Sequence, residues 1–386
     1  MLTGCSSSGG PPVTGGPPPS GVLTYLSGPT LASGGTHPDG LVVADFNGDG
    51  RPDIAVSNLD TNTIAVYLNN GAGGFRSPKV TTVQIDNGLG AMAVGDFNED
   101  GKADLVVATI AGSQASIVLP GNGDGTFRQQ TPIPNSFGFI QAMAVDLNHD
   151  GHLDLVFGEN GNVSVSLGDG NGTFNNCVEL ASGSIPGTYQ GIAVADFKGN
   201  GKLDIVAVDA AGGSPGNGSL DFYPGNGDGT FQNPVFVHLP SLFPVSVSSG
   251  DFNADGKLDL LIGYPNLAWI ANGNGDGTFQ TVLQPGDTVY DSMTLNQSGG
   301  VSVLAADLNS DGKPDAVTSD YTTGTVQITL NGSLFLTPPA NGIFTFALAP
   351  GLALLAVGDF NGDGALDVAL INSQTNQVNI LLSSFQ

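Results

Sequence analysis

From residue 21 onward the apolar positions fall in short runs, each broken within a few residues by Gly, Asn or Asp. Such punctuation predicts strands joined by tight turns. No stretch shows the spacing of an amphipathic helix, and no apolar run is long enough to span a bilayer. The runs recur in a fixed order. A strand of small apolar residues comes first, as in "LVVAD", "AMAVGD" and "GIAVAD". An acidic loop follows, then a second strand such as "DIAVS" or "DLVVA", and after a short polar loop a third such as "TIAVYLN". A Gly-rich turn then leads to a fourth strand, expected to begin at Phe in most repeats.

The acidic loop sets the period. It reads "DFNGDGRPD" at 45–53 and returns at 96–104, 146–154, 196–204, 251–259, 307–315 and 359–367. Repeats of roughly fifty residues, each with four antiparallel strands, predict an all-β, seven-bladed β-propeller spanning residues 21–386. Small residues in the first strands suit the crowded axis of such a ring. The seventh repeat ends after its third strand, and an unmatched strand precedes the first motif. Residues 22–33 are therefore expected to supply the outer strand of blade seven and so remove an open sheet edge.

Charge sharpens this picture. The formal net charge is −26, with 9 Lys and Arg against 35 Asp and Glu. Nucleic acid and anionic membrane surfaces are excluded as partners by that balance. Of the acidic residues 32 are Asp, and 20 of these lie in the seven motifs, so the charge is concentrated in loops. In six copies positions 1, 3 and 5 are Asp, Asn and Asp, position 6 is Gly and position 9 is Asp. Alternate side chains on a curling loop converge, Gly permits the sharp turn, and position 7 can offer its carbonyl. Hard oxygen donors in that number suit Ca2+. The flanks are strands and the closing Glu of an EF-hand is missing.

The expected ligand sets run through the six intact copies. They are Asp45, Asn47, Asp49, Arg51 and Asp53 in the first, and Asp96, Asn98, Asp100, Lys102 and Asp104 in the second. Asp146, Asn148, Asp150, His152 and Asp154 form the third; Asp251, Asn253, Asp255, Lys257 and Asp259 form the fifth. Asp307, Asn309, Asp311, Lys313 and Asp315 form the sixth, and Asp359, Asn361, Asp363, Ala365 and Asp367 the seventh. The fourth copy carries Lys198 at position 3 and Asn200 at position 5. It is expected to be free of metal, with the Lys198 ammonium standing between Asp196 and Asp204.

The Gly-rich turns, "GNGDGTF" at 121–127, 225–231 and 273–279 and "GDGNGTF" at 168–174, read as turn chemistry alone. Each of Asp124, Asp228 and Asp276 is a single carboxylate. Aromatic residues in or near loops on the other face either form a ligand platform or pack between blades: Phe137, Phe139, Tyr189, Phe243, Tyr264, Tyr290, Tyr321 and Phe344. The irregular segments 281–300 and 333–352 are expected to carry specificity. Evidence of catalysis is thin. The four His are scattered and no nucleophile motif is present; Asp287 and Asp291 fall in an irregular segment, and Tyr290 beside Asp291 is the one pair to test for a polysaccharide lyase or hydrolase.

The motifs and the "GNGDGTF" turns together resemble the FG-GAP/VCBS repeat family, best known in integrin α subunits. The resemblance covers residues 21–386. It implies a seven-bladed propeller with calcium in loops between first and second strands, and ligands on the opposite face. It also implies binding and an extracellular location, without naming one ligand; with no catalytic motif in the chain, the expected function is a non-catalytic binding or adhesion module for a glycan, matrix polymer or protein. The start fits that location. "LTGC" resembles the lipobox of bacterial lipoproteins, which makes Cys5 a lipidation site, and residues 6–20 read as a Gly/Pro/Ser-rich tether. The basic and apolar leader that lipidation needs does not lie between Met1 and Cys5.

Overall fold

In the computed structural model the described residues are 23–85, 88–109, 115–136, 138–158, 162–180, 189–214, 217–240, 243–265, 267–280, 289–290, 301–331 and 342–385. They form seven four-stranded antiparallel sheets, the blades of a β-propeller. The all-β expectation is met. Blade one comprises Pro38–Ala44, Asp53–Asn58, Thr63–Tyr67 and Lys79–Thr82, in sequence order from the axis outward. Blades two to six repeat that order. First strands of neighbouring blades pack against one another around the axis. Small residues permit it: a Cβ at Gly40 would lie 2.6 Å from the Gly90 carbonyl of the next blade.

Blade seven closes the ring as expected. Its three C-terminal strands, Leu352–Gly358, Asp367–Asn372 and Gln377–Phe385, are completed by Leu23–Ala32. The register runs from Leu23 opposite Phe385 to Ala32 opposite Gln377. Tyr25 anchors this outer strand. It is buried, donates to the Leu366 carbonyl at 2.8 Å, and meets the Phe344 ring of blade six edge-on at 5.2 Å. Burying the ring while its hydroxyl stays bonded satisfies both halves of the side chain.

The core lies between blades. Alternate residues of each middle strand face opposite neighbours: Ile54 and Val56 pack toward blade seven, Ala55 toward blade two. Polar latches cross the same gaps. Ser57 donates to the Gly90 carbonyl, Ser246 to that of Val301 and Ser302 to that of Ala353, each at 2.6 Å.

Two expectations need correction. The turn Phe does not begin the fourth strand. Phe75, Phe127, Phe174, Phe231 and Phe279 each close their hairpin through a single bridge, and regular pairing resumes farther on, at Lys79, Thr131, Val178, Val235 and Val289. The segment 333–352 is not wholly irregular, because Ile343–Ala347 is the outer strand of blade six.

Candidate functional site

All seven acidic loops join first to second strands, so they lie on one face of the ring, beside the third-to-fourth-strand turns. Within each loop the position-1 carboxylate organises the turn. Asp45 accepts from the amides of Asn47, Gly48 and Asp49 through Oδ1, and from Gly50 through Oδ2. Asp96, Asp146, Asp196, Asp251, Asp307 and Asp359 likewise accept from positions 5 and 6. Position 6 is Gly with positive φ in every copy, from 78° to 94°. This bears out the reading of Gly as the residue of the sharp turn.

Position 4 is also left-handed in all seven loops, at Gly48, Glu99, His149, Gly199, Ala254, Ser310 and Gly362. Four of these are not glycine, so sequence alone gave little sign of it.

The position-9 Asp is the structural centre. Each one opens its second strand and is fully buried. Asp104 Oδ2 accepts from the Phe97 amide at 3.1 Å, and Oδ1 from the Gly121 amide of the same blade's turn at 2.7 Å. Asp53, Asp154, Asp259, Asp315 and Asp367 repeat the pattern, with amides from Asn69, Gly168, Gly273, Asn331 and Ser383. Burial, and then the carboxylates at positions 5 and 1, push Asp53 and Asp104 up to about 6 and Asp315 to about 7. Burial again raises Asp367 to about 6, with Asp363 adding to it.

The Gly-rich turns do more than turn. As expected, Asp124, Asp228 and Asp276 each accept from the amide and hydroxyl of the Thr two residues on. The turns also clasp the preceding blade. Gly125 donates to the Phe46 carbonyl at 2.9 Å and Gly172 to that of Phe97 at 2.8 Å; Gly73 reaches Phe360 of blade seven at 3.0 Å. The turn rings follow. Phe127 meets Phe46, Phe174 meets Phe97, Phe75 meets Phe360 and Phe279 meets Phe197, all edge-on at 5.4 to 6.1 Å. The paired Phe letters of loop and turn were visible in sequence, but not that they meet across a blade boundary.

The donor chemistry fits a hard divalent cation. Each intact loop holds three carboxylates and an Asn amide oxygen, with no thiolate. Asn98 and Asp104 already meet within the loop at 2.8 Å. In this arrangement most of the oxygens face backbone amides. No three His, Cys, Asp or Glu among the described residues converge on one point. Two basic side chains at position 7 reach position 5 rather than position 9, Arg51 to Asp49 at 3.6 Å and Lys102 to Asp100 at 3.5 Å, and His152 pairs with Glu99 of the preceding blade's loop.

In the fourth loop Lys198 Nζ lies 3.1 Å from Asp204 Oδ1. It does not bridge both carboxylates as expected, because Asp196 is turned to the amides of Asn200 and Gly201.

The family model of FG-GAP-like repeats matches residues 45–107, 96–157, 146–207, 208–262, 251–318 and 307–370. The chain belongs to the FG-GAP-like repeat family. Five of the six FG-GAP matches open on the first Asp of an acidic loop, and none opens on Asp196. No curated protein matches the chain by sequence. Among solved structures, an Agrocybe aegerita lectin described as recognising non-reducing terminal N-acetylglucosamine aligns with a TM-score of 0.54 at 20% identity. The alignment covers 94% of this chain and 86% of the lectin. A chain from the crystal structure of BBS1N in complex with ARL6DN aligns with a TM-score of 0.60 at 12% identity, over 93% of this chain and 96% of that one. At these identities the likeness is one of fold.

On the opposite face, two of the aromatic candidates are core residues. Phe139 is buried and stacked on Phe157 at 4.4 Å, and Tyr264 is fully buried. Phe344 packs on Tyr25. Tyr321 is half-buried, and Phe243, at 41% exposure, is open to solvent. Phe137, the side chains of Tyr189 and Tyr290, Asp287, Asp291 and Cys5 lie outside the described residues.

Proposed function

We propose that this FG-GAP propeller is a calcium-stabilised, non-catalytic binding module, secreted or held at the cell surface through Cys5. A glycan or protein ligand would bind on the face away from the acidic loops. One observation carries the reading: six loops in register each place two further carboxylates, at positions 1 and 5, in the same short loop as a fully buried Asp, and that Asp has no basic partner. The residues that would hold the ion are those at positions 1, 3, 5 and 9, with the position-7 carbonyl. When bound, calcium would supply positive charge and release the carboxylates from mutual repulsion.

The loops serve stability, since each is tied to its own turn and to the next blade. Specificity then belongs to the other face, where connections differ from blade to blade. A glycan is favoured as ligand by the similarity to a sugar-recognising propeller.

Two measurements test the proposal. Chelator should lower the unfolding temperature, and Ca2+ should restore it, adding a stabilisation of RT ln(1 + [L]/Kd) per site. An unchanged melting curve would sink the calcium part. A glycan array including terminal N-acetylglucosamine, run with and without chelator, should show calcium-dependent binding; a blank array points to a protein ligand instead.

A further inference from the structure

Blade four departs from the other six at its acidic loop in three linked ways. Its position-2 amide, Phe197 N, donates to the Ala195 carbonyl at 3.1 Å rather than to the position-9 carboxylate. Asp204 is fully buried, and its Oδ2 has no hydrogen-bond partner. Its Oδ1 accepts from the Gly225 amide at 2.8 Å and faces the Lys198 ammonium at 3.1 Å. The Lys198 side chain is itself 19% exposed, and Nζ lies 6.0 Å from the centre of the Phe222 ring. A carboxylate so buried, with one oxygen bonded to nothing, stays ionised only with help from a nearby positive charge and otherwise takes up a proton. Among the described residues, no other position-9 Asp is paired with a basic side chain.

The loop nevertheless has the same curl as its neighbours. Asp196 receives the amides of Asn200 and Gly201 at 3.0 and 2.7 Å, and Gly199 and Gly201 keep positive φ. Its shape is thus encoded by the position-1 carboxylate. What position 3 changes is the charge beside Asp204.

We propose that Lys198 is a built-in substitute for the ion, so that the blade-four loop takes no divalent cation and keeps its conformation when calcium is withdrawn. The inference rests on the calcium reading of the other loops. Lys198 then decides which loop is calcium-independent, and blade four is a fixed point in a ring whose other loops respond to the ion.

The test restores the motif. Lys198→Asn combined with Asn200→Asp rebuilds the intact loop sequence. Calcium per chain is measured by elemental analysis after gel filtration in calcium buffer, and amide exchange across 196–225 is followed with and without chelator. The wild type should hold six ions, and exchange in that segment should ignore chelator. The double variant should hold seven, with exchange that speeds on chelation. Seven ions in the wild type would overturn the inference, as would a folded double variant that stays at six. No ions in either protein would sink the calcium reading itself. Lys198→Met adds a separate readout in chelator: its melting temperature should fall below that of the wild type, and an unchanged one would show that the ammonium does not compensate Asp204.

Discussion

At the scale of single residues, the position-9 Asp shows how one letter serves two ends. Its two oxygens join an acidic loop to the turn of the same blade. Replacing Asp104 by Ala strands the amides of Phe97 and Gly121 inside the protein and should cost about 2–5 kcal/mol in chemical denaturation. These carboxylates also set a pH dependence. Asp53, Asp104 and Asp367 sit at about 6 and Asp315 at about 7, above the ordinary aspartate value near 4. A raised folded value means that the fold binds the proton more tightly than the unfolded chain does. The associated stability is therefore complete below about pH 4 and is lost as pH rises through 6 to 7. In chelator the melting temperature should climb as pH falls from 8 to 5. Calcium should flatten that trend, since the ion competes with protons for the same oxygens. Position 9 was legible in the sequence as an invariant Asp. Its complete burial was not, because burial depends on the turn that folds over it.

At the scale of elements, the unit is the loop together with the turn that follows it in space. The Gly-rich turns were legible as hairpins from their Gly and Asn letters. Their second task was hidden, because the partner loop lies in the preceding blade. Phe174 is the sharpest case. It is 7% exposed and packs edge-on against Phe97 of blade two, while Gly172 beside it bonds the Phe97 carbonyl. Phe174→Ala should destabilise by about 3–5 kcal/mol in denaturant titration, the range for emptying a buried aromatic site. A cost below about 1 kcal/mol would show that the clasp contributes little. Two of the aromatic residues assigned to the far face, Phe139 and Tyr264, proved to be core for a related reason. Loop position along the chain does not say which way a ring turns, and an apolar ring near a blade gap gains more by entering it.

At the scale of the whole molecule, closure is the decisive event. The outer strand of blade seven comes from the far end of the chain, and Tyr25 fastens it to Leu366. Deleting residues 23–32 should expose the edge of Gln377–Phe385 and uncover the buried cluster around Leu355 and Val368. Light scattering should then show association, and the melting transition should broaden; a monomer with an unchanged transition would show that closure is dispensable. The sequence by itself determined the number of blades, the order of strands, the place of the acidic loops and the strand that closes the ring. Those follow from local periodicity and from Asp, Asn and Gly at turns, whose preferences act over a few residues. Only the tertiary structure decided which oxygens meet which amides, that turns clasp the blade before them, and that Lys198 faces Asp204 rather than Asp196. Those depend on groups far apart in the chain, brought together when seven sheets share one axis.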